Sequence, residues 1–257
     1  MLIQPEIAAP PANRWLCHFK RNPKASLRLF CFPYAGGSAM VYRGWAEKLP
    51  ANVEVVAIQL PGRASRRQEQ PLSKLSDVIE LLGPALEGSL NKRFAFFGHS
   101  MGALIAFELA RLLRREGRAL PLHLFVSGRT APQLNDCHAP LYNLPTNELL
   151  KEIKQLDGTP PEVLEHPELM EMMLPLLRAD FSICDTYEYR EEAPLDCPIS
   201  VFGGFQDADI PRQNLEAWRE HTSSIFSLRM LQGNHFFLHS NETLLLNLLA
   251  VQLHLII

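Results

Sequence analysis

The chain reads as an α/β protein: a mostly parallel sheet flanked by helices on both faces, with one helical lid insertion. Three observations lead there. Short apolar runs recur at 27–32, 53–58, 94–97, 122–126, 199–202 and 226–231, each of a length that suits a strand buried on both faces. Helical patterns separate most of them, as at 75–90 and 101–115, and strand–helix alternation is the signature of a parallel sheet. The pentapeptide Gly98-His99-Ser100-Met101-Gly102 directly joins one such run to one such helix, the context that a G-x-S-x-G nucleophile elbow requires.

Each element follows from its pattern. The helix after Ser100 carries Leu104, Ile105, Leu109, Leu112 and Leu113 on one side and Glu108, Arg111, Arg114 and Arg115 on the other. Alternation stops between residues 131 and 190, where seven of the 20 prolines lie. Helical pieces persist there, at 148–156 and 167–189, the second with Pro175 expected to kink it. This stretch is expected to be a lid inserted between strands, so that residues 1–257 form one domain. The apolar stretch 244–257, interrupted by Asn247, Gln252 and His254, reads as a buried terminal helix, too short to span a bilayer.

Composition narrows the function. With 47% hydrophobic and 21% charged residues the chain is of ordinary globular type, and its 257 residues can bury a large core unaided. A net charge of −3 gives no reason to expect nucleic acid as a partner. The five cysteines are odd in number and lack C-x-x-C spacing, which argues for a reducing compartment, here the cytoplasm, and against a zinc site. The first residues have neither the basic nor the apolar region of a signal peptide. No membrane partner is expected.

A serine needs a base to take its proton. In sheets of this type an acid and a histidine follow the serine in chain order, after later strands. Gly203 to Asp209 follow the run at 199–202, and Gly233-Asn234-His235 follow the run at 226–231. His235 is the expected base, since it alone of nine histidines follows a strand end with a glycine turn. Asp207 is favoured over Asp209 as the acid because it lies nearer the strand end. His99 is expected to point away from the elbow and to be structural. For the oxyanion, Met101 would supply one backbone N–H and Ala35, in Phe32-Pro33-Tyr34-Ala35-Gly36-Gly37-Ser38, the other. A phosphate loop would need a lysine that this segment lacks. Met170, Met172 and Met173 would suit a pocket for flexible acyl chains. Arg111, Arg114, Arg115 and Arg118 read as a solvated helix end, with docking of an acidic protein as the alternative. No metal or redox cofactor is required.

As a set, the motifs resemble the type II thioesterases that accompany nonribosomal peptide and polyketide synthases. The wider family includes the free medium-chain thioesterase of animal fatty-acid synthesis. The matching segments are Phe32 to Gly37, Gln59-Leu60-Pro61-Gly62-Arg63, the elbow, Ser127-Gly128-Arg129, Leu177-Arg178-Ala179-Asp180-Phe181 and His235-Phe236-Phe237-Leu238. The resemblance implies an α/β-hydrolase fold with a helical lid. It also implies hydrolysis of acyl groups from the 4'-phosphopantetheine arm of an acyl or peptidyl carrier protein. Ser100, Asp207 and His235 match the family triad, and Ala35 and Met101 its oxyanion hole. Asn234 replaces the usual glycine before the histidine, and Ala208 the usual proline after the aspartate. Arg63 reads by default as a turn residue. Two rival readings stay open: an esterase acting on oxygen esters, and a non-catalytic carrier-binding protein on the same scaffold.

Overall fold

A computed structural model describes residues 13–134, 140–156, 158 and 166–257. Among these, β1 (Leu16–Cys17), β2 (Leu27–Phe32), β3 (Val53–Ile58), β4 (Arg93–His99), β5 (Leu124–Ser127), β6 (Ile199–Gly204) and β7 (Phe226–Leu231) form one sheet in the order β1-β3-β2-β4-β5-β6-β7. Strands β2 to β7 run parallel, and β1 pairs antiparallel with β3 at one edge. The α-helices among the described residues are α1 (Trp45–Lys48), α2 (Leu75–Leu86), α3 (Met101–Arg115), α4 (Thr146–Leu156), α5 (Pro167–Asp185), α6 (Arg212–Glu216), α7 (Phe237–Ser240) and α8 (Glu242–His254).

The strands alternate their side chains between two cores. Phe30, Phe32, Val56, Ile58, Phe94 and Phe96 face the core under α2 and α3. Leu29, Cys31, Val55, Ala57, Ala95 and Phe97 face the core under α1 and α8. Both faces are therefore apolar, which is why these strands read as unbroken hydrophobic runs. On the first face Phe30 packs edge-on against Phe94 and Phe96, with ring centroids 6.0 and 5.9 Å apart. Helix α8 buries Leu245, Leu246, Leu249 and Leu253 and leaves Leu244 and Val251 exposed, so it is a half-buried surface helix.

The chain leaves β2 for β3 on one side, then returns to place β4 on the other. The order therefore reverses between β2 and β4, which makes their carboxyl ends the switch point where sheets of this type place a ligand site. Phe32 pairs with Gly98 there, so the Ala35 loop and the Ser100 elbow leave the sheet side by side. Helices α4 and α5 both lie between β5 and β6, within the stretch where alternation stops. They share a small core of Leu149, Ile153, Met170 and Leu177. Helix α5 runs unbroken through Pro175; the proline removes a backbone donor without ending the helix. The edge strand β1 gave no sequence signal because two residues carry no period.

Candidate active site

The elbow forms because two glycines allow close approach. A Cβ on Gly102 would lie 2.0 Å from the Phe32 carbonyl oxygen, and one on Gly98 2.2 Å from that of Gly102. Helix α3 thus starts directly against the end of β2. Neither glycine has positive φ; Ser100 itself carries the strain, at φ 53° and ψ −117°. For a residue with a Cβ this is a costly conformation, of the kind that concentrates at functional sites. The Ser100 amide donates to the Ser127 carbonyl at 2.8 Å, which ties the turn to β5. Met101 is the first residue of α3, so its N–H has no acceptor within the helix.

The loops after β6 and β7 are joined. Phe205 N–H donates to the Leu231 carbonyl at 2.8 Å, and Gln206 N–H to the Gly233 carbonyl at 3.0 Å. The Gln206 side chain accepts from Gly233 N–H and donates to Gln232 Oε1 at 2.9 Å. A Cβ on Gly204 would lie 2.5 Å from the Asn234 carbonyl oxygen, so glycine permits this contact. As a result His235 Nδ1 lies 2.8 Å from Asp207 Oδ2, with the Asp207 side chain 2% exposed. Asp209 is exposed, whereas Asp207 is buried. The structure thus pairs His235 with the aspartate nearer the strand end.

His99 lies beneath the site. Its Nδ1 is 2.9 Å from Ser127 Oγ, and its ring centroid is 5.2 Å from that of His235. Burial holds the ring well below its ordinary pKa, with the neighbouring His235 and His239 adding to the effect. It is a neutral floor to the His235 ring.

Ala35 sits in a tight turn in which Gly37 N–H donates to the Tyr34 carbonyl at 2.9 Å. Gly36 follows at φ +78°, the third-position signature of a type II turn. The turn is held by two residues that sequence reasoning left without a role. Arg63 stands in the bend after β3, as expected, and its side chain is buried there. Its guanidinium is buried and donates to both Asp180 oxygens, at 2.6 and 2.7 Å. Asp180 Oδ2 also accepts Gly36 N–H at 2.7 Å. Both residues lie in motifs that the sequence offered, but they stand 117 positions apart, and spacing alone does not pair them.

The methionines are divided by helical geometry. Met170 is buried in the small core of α4 and α5, and Met173 packs against that core. Met172, one residue off that face, is 76% exposed. The three therefore do not form one pocket surface. The basic cluster also differs from a solvated face. Arg111 is 2% exposed; it pairs with Glu108 at 2.6 Å and Glu192 at 2.8 Å, because the chain after α5 folds back across α3. Arg114 and Arg115 bind Glu192 and Arg118 binds Glu116. These charges are taken up by the chain's own carboxylates.

A hydroxyl on a strained elbow and an imidazole paired with a buried carboxylate are groups that acyl transfer through serine uses. Among the described residues, no group of three or more His, Cys, Asp or Glu could hold a metal ion. Nor is any helix among them long and apolar enough to cross a membrane.

The architecture is of α/β-hydrolase type, and residues 27–251 match the family model described as "Thioesterase domain". The chain belongs to the thioesterase family. It is 44% identical to gramicidin S biosynthesis protein GrsT of Aneurinibacillus migulanus, over 95% of this chain and 96% of that protein. It is 50% identical to a Brevibacillus parabrevis protein named linear gramicidin dehydrogenase LgrE, over 91% of this chain and 90% of the other. That name conflicts with the family; no two of the 14 glycines here stand two positions apart, so the dinucleotide fingerprint G-x-G-x-x-G is absent. Among solved structures, the type II thioesterase BorB from the borrelidin biosynthetic cluster superposes with a TM-score of 0.84 at 38% identity, covering 92% of this chain and 96% of that one.

Proposed function

We propose that this protein is a type II thioesterase that removes acyl groups from the phosphopantetheine arm of a carrier protein in a nonribosomal peptide or polyketide synthase. The observation that carries this reading is the 2.8 Å contact between His235 and buried Asp207, on joined loops beside the strained Ser100 elbow. Relatives from gramicidin and borrelidin biosynthesis support the assembly-line setting.

In the proposed reaction Ser100 Oγ attacks the thioester carbonyl while His235 Nε2 takes its proton. Asp207 accepts from Nδ1–H, holding the tautomer and stabilising the imidazolium. Met101 and Ala35 N–H groups bind the oxyanion; losing one such donor typically costs about 3–4 kcal/mol. The C–S bond then breaks, and His235 gives its proton to the departing thiolate. Water, deprotonated by His235, attacks the acyl-serine, and the second tetrahedral intermediate breaks its bond to Ser100 Oγ as His235 returns the proton to that oxygen, releasing the acid. The chemistry uses no cofactor of this protein's own, since the pantetheine arm arrives on the partner.

Within the segment 131–190, the described residues, α4 and α5 among them, act as a lid over this site. Leu177 Cδ2 would lie 2.7 Å from a Cβ on Gly36, and the Phe236 ring 2.0 Å from one on Gly158. The insertion therefore touches the loop of Ala35 on one side and the neighbour of His235 on the other. A cytoplasmic setting is supported by Cys17, Cys31 and Cys197, which are free thiols. The test is kcat/KM on an acyl-carrier thioester against an oxygen ester of the same acyl chain. Preference for the carrier thioester is expected; preference for the free ester would make the protein an esterase.

A further inference from the structure

We infer that Arg63 and Asp180 are positioning residues for the oxyanion hole, a clamp through which the lid helix sets the Ala35 turn. The inference rests on the thioesterase reading above and adds to it two residues that touch no substrate. The Arg63 side chain is 4% exposed and that of Asp180 0%. A buried ion pair of this kind contributes little net stability against an apolar pair, because desolvation offsets the attraction. Its geometry gives it a more specific use.

Each partner of the pair holds the loop that carries Ala35 by one bond, while Arg63 Nε anchors the guanidinium to the Pro61 carbonyl at 3.2 Å. Arg63 forks onto the carboxylate at 2.6 and 2.7 Å, and its Nη1 also donates to the Gly37 carbonyl at 3.1 Å. Asp180 Oδ2 accepts Gly36 N–H at 2.7 Å. Gln59 extends the grip: its Oε1 accepts Ala39 N–H at 3.2 Å and its Nε2 donates to the Arg63 carbonyl at 3.3 Å. The peptide units on the C-terminal side of Ala35 are thus held by charge-assisted bonds, which are stronger than neutral ones. Gly36 N–H belongs to the central peptide of the turn, the unit that would flip if the turn changed type. With that unit captured, the backbone at Ala35 has one conformation. Asp180 lies on α5, so the lid and the oxyanion loop move as one piece at this point.

The test uses steady-state kinetics on whichever acyl substrate the wild type turns over. A failure of the substrate assignment therefore shows in the wild type and is separate from a failure of the clamp. Asp180→Ala should lower kcat by about 100-fold, the range seen when one oxyanion donor is lost. KM should stay within twofold and the pH profile unchanged, since Ser100, His235 and Asp207 are untouched. Asp180→Asn, which keeps an acceptor for Gly36 N–H, should lose less, and Arg63→Lys less than Arg63→Gln. Because a lone buried charge can unfold a variant, the double variant Arg63→Met with Asp180→Leu removes both charges together; it should fold and still show the low kcat. In the wild type the Gly36 amide should be protected from hydrogen exchange. A folded double variant with wild-type kcat, a loss confined to KM, or fast exchange at Gly36 would overturn the inference.

Discussion

At the scale of single residues, Ser100 and Asp207 make the sharpest claims. Ser100 holds φ 53° and ψ −117°, a region natural to glycine, at a cost of about 1–3 kcal/mol. Ser100→Gly should therefore be more stable than Ser100→Ala by about 1 kcal/mol, after allowing for the larger unfolded-state entropy of glycine. Urea unfolding of the two variants measures this, and equal stabilities would deny the strain. Asp207 is buried against His235, whereas Asp209 is exposed. Asp207→Asn should lower kcat by up to about 10⁴-fold by favouring the wrong histidine tautomer, while Asp209→Asn should stay within a few-fold. The reverse order in steady-state kinetics would move the acid to Asp209. The places of both residues in the fold were legible in the sequence because each follows a strand end. Arg63 and Asp180 were not, because their meaning lies in a contact between segments far apart in the chain.

At the scale of elements, the site depends on how closely α3 approaches β2. A Cβ on Gly102 would lie 2.0 Å from backbone at Phe32, whereas one on Gly88 would meet nothing within 4 Å. Gly102→Ala should therefore fail to fold or lose most of its thermal stability. Gly88→Ala, in a short 3-10 helix, should gain about 0.4–1 kcal/mol by restricting the unfolded chain. Comparing melting temperatures of the two variants checks this, and similar values would contradict the packing. The strands at 27–32, 53–58 and 226–231 match their predicted bounds because apolar runs end at turns there. The run at 122–126 appears as Leu124–Ser127, and 75–90 as Leu86-ending α2 followed by Glu87–Ser89 in a 3-10 helix. Ends depend on hydrogen bonding that periodicity does not report. Helical phase separated Met170 from Met172, and the loop-back onto α3 that buries Arg111 is a tertiary event with no local signal.

At the scale of the whole molecule, pH should act on stability through buried imidazoles. Burial lowers His123 and His221 to about 4, and His99 well below its ordinary value. In the unfolded chain these groups take up protons at about 6.5. The unfolded state therefore binds more protons across this window. Stability is intact above about pH 6.5 and falls as pH drops towards 4. Carboxylates add to the loss only lower down: burial alone would raise Glu54, but Arg28 and Asn22 outweigh it and hold the group below 4.5. Calorimetry should show a lower Tm at pH 5 than at pH 7, and a flat Tm over that interval would contradict buried neutral histidines. The central claim is that Ser100, served by His235 and Asp207, hydrolyses carrier-bound thioesters. The most direct measurement is the intact mass of an acylated carrier protein incubated with wild type or with Ser100→Ala. The account predicts loss of the acyl mass with wild type and a rate lower by about 10³-fold or more with the folded variant. An acyl mass that persists with wild type, or disappears equally fast with Ser100→Ala, would contradict it.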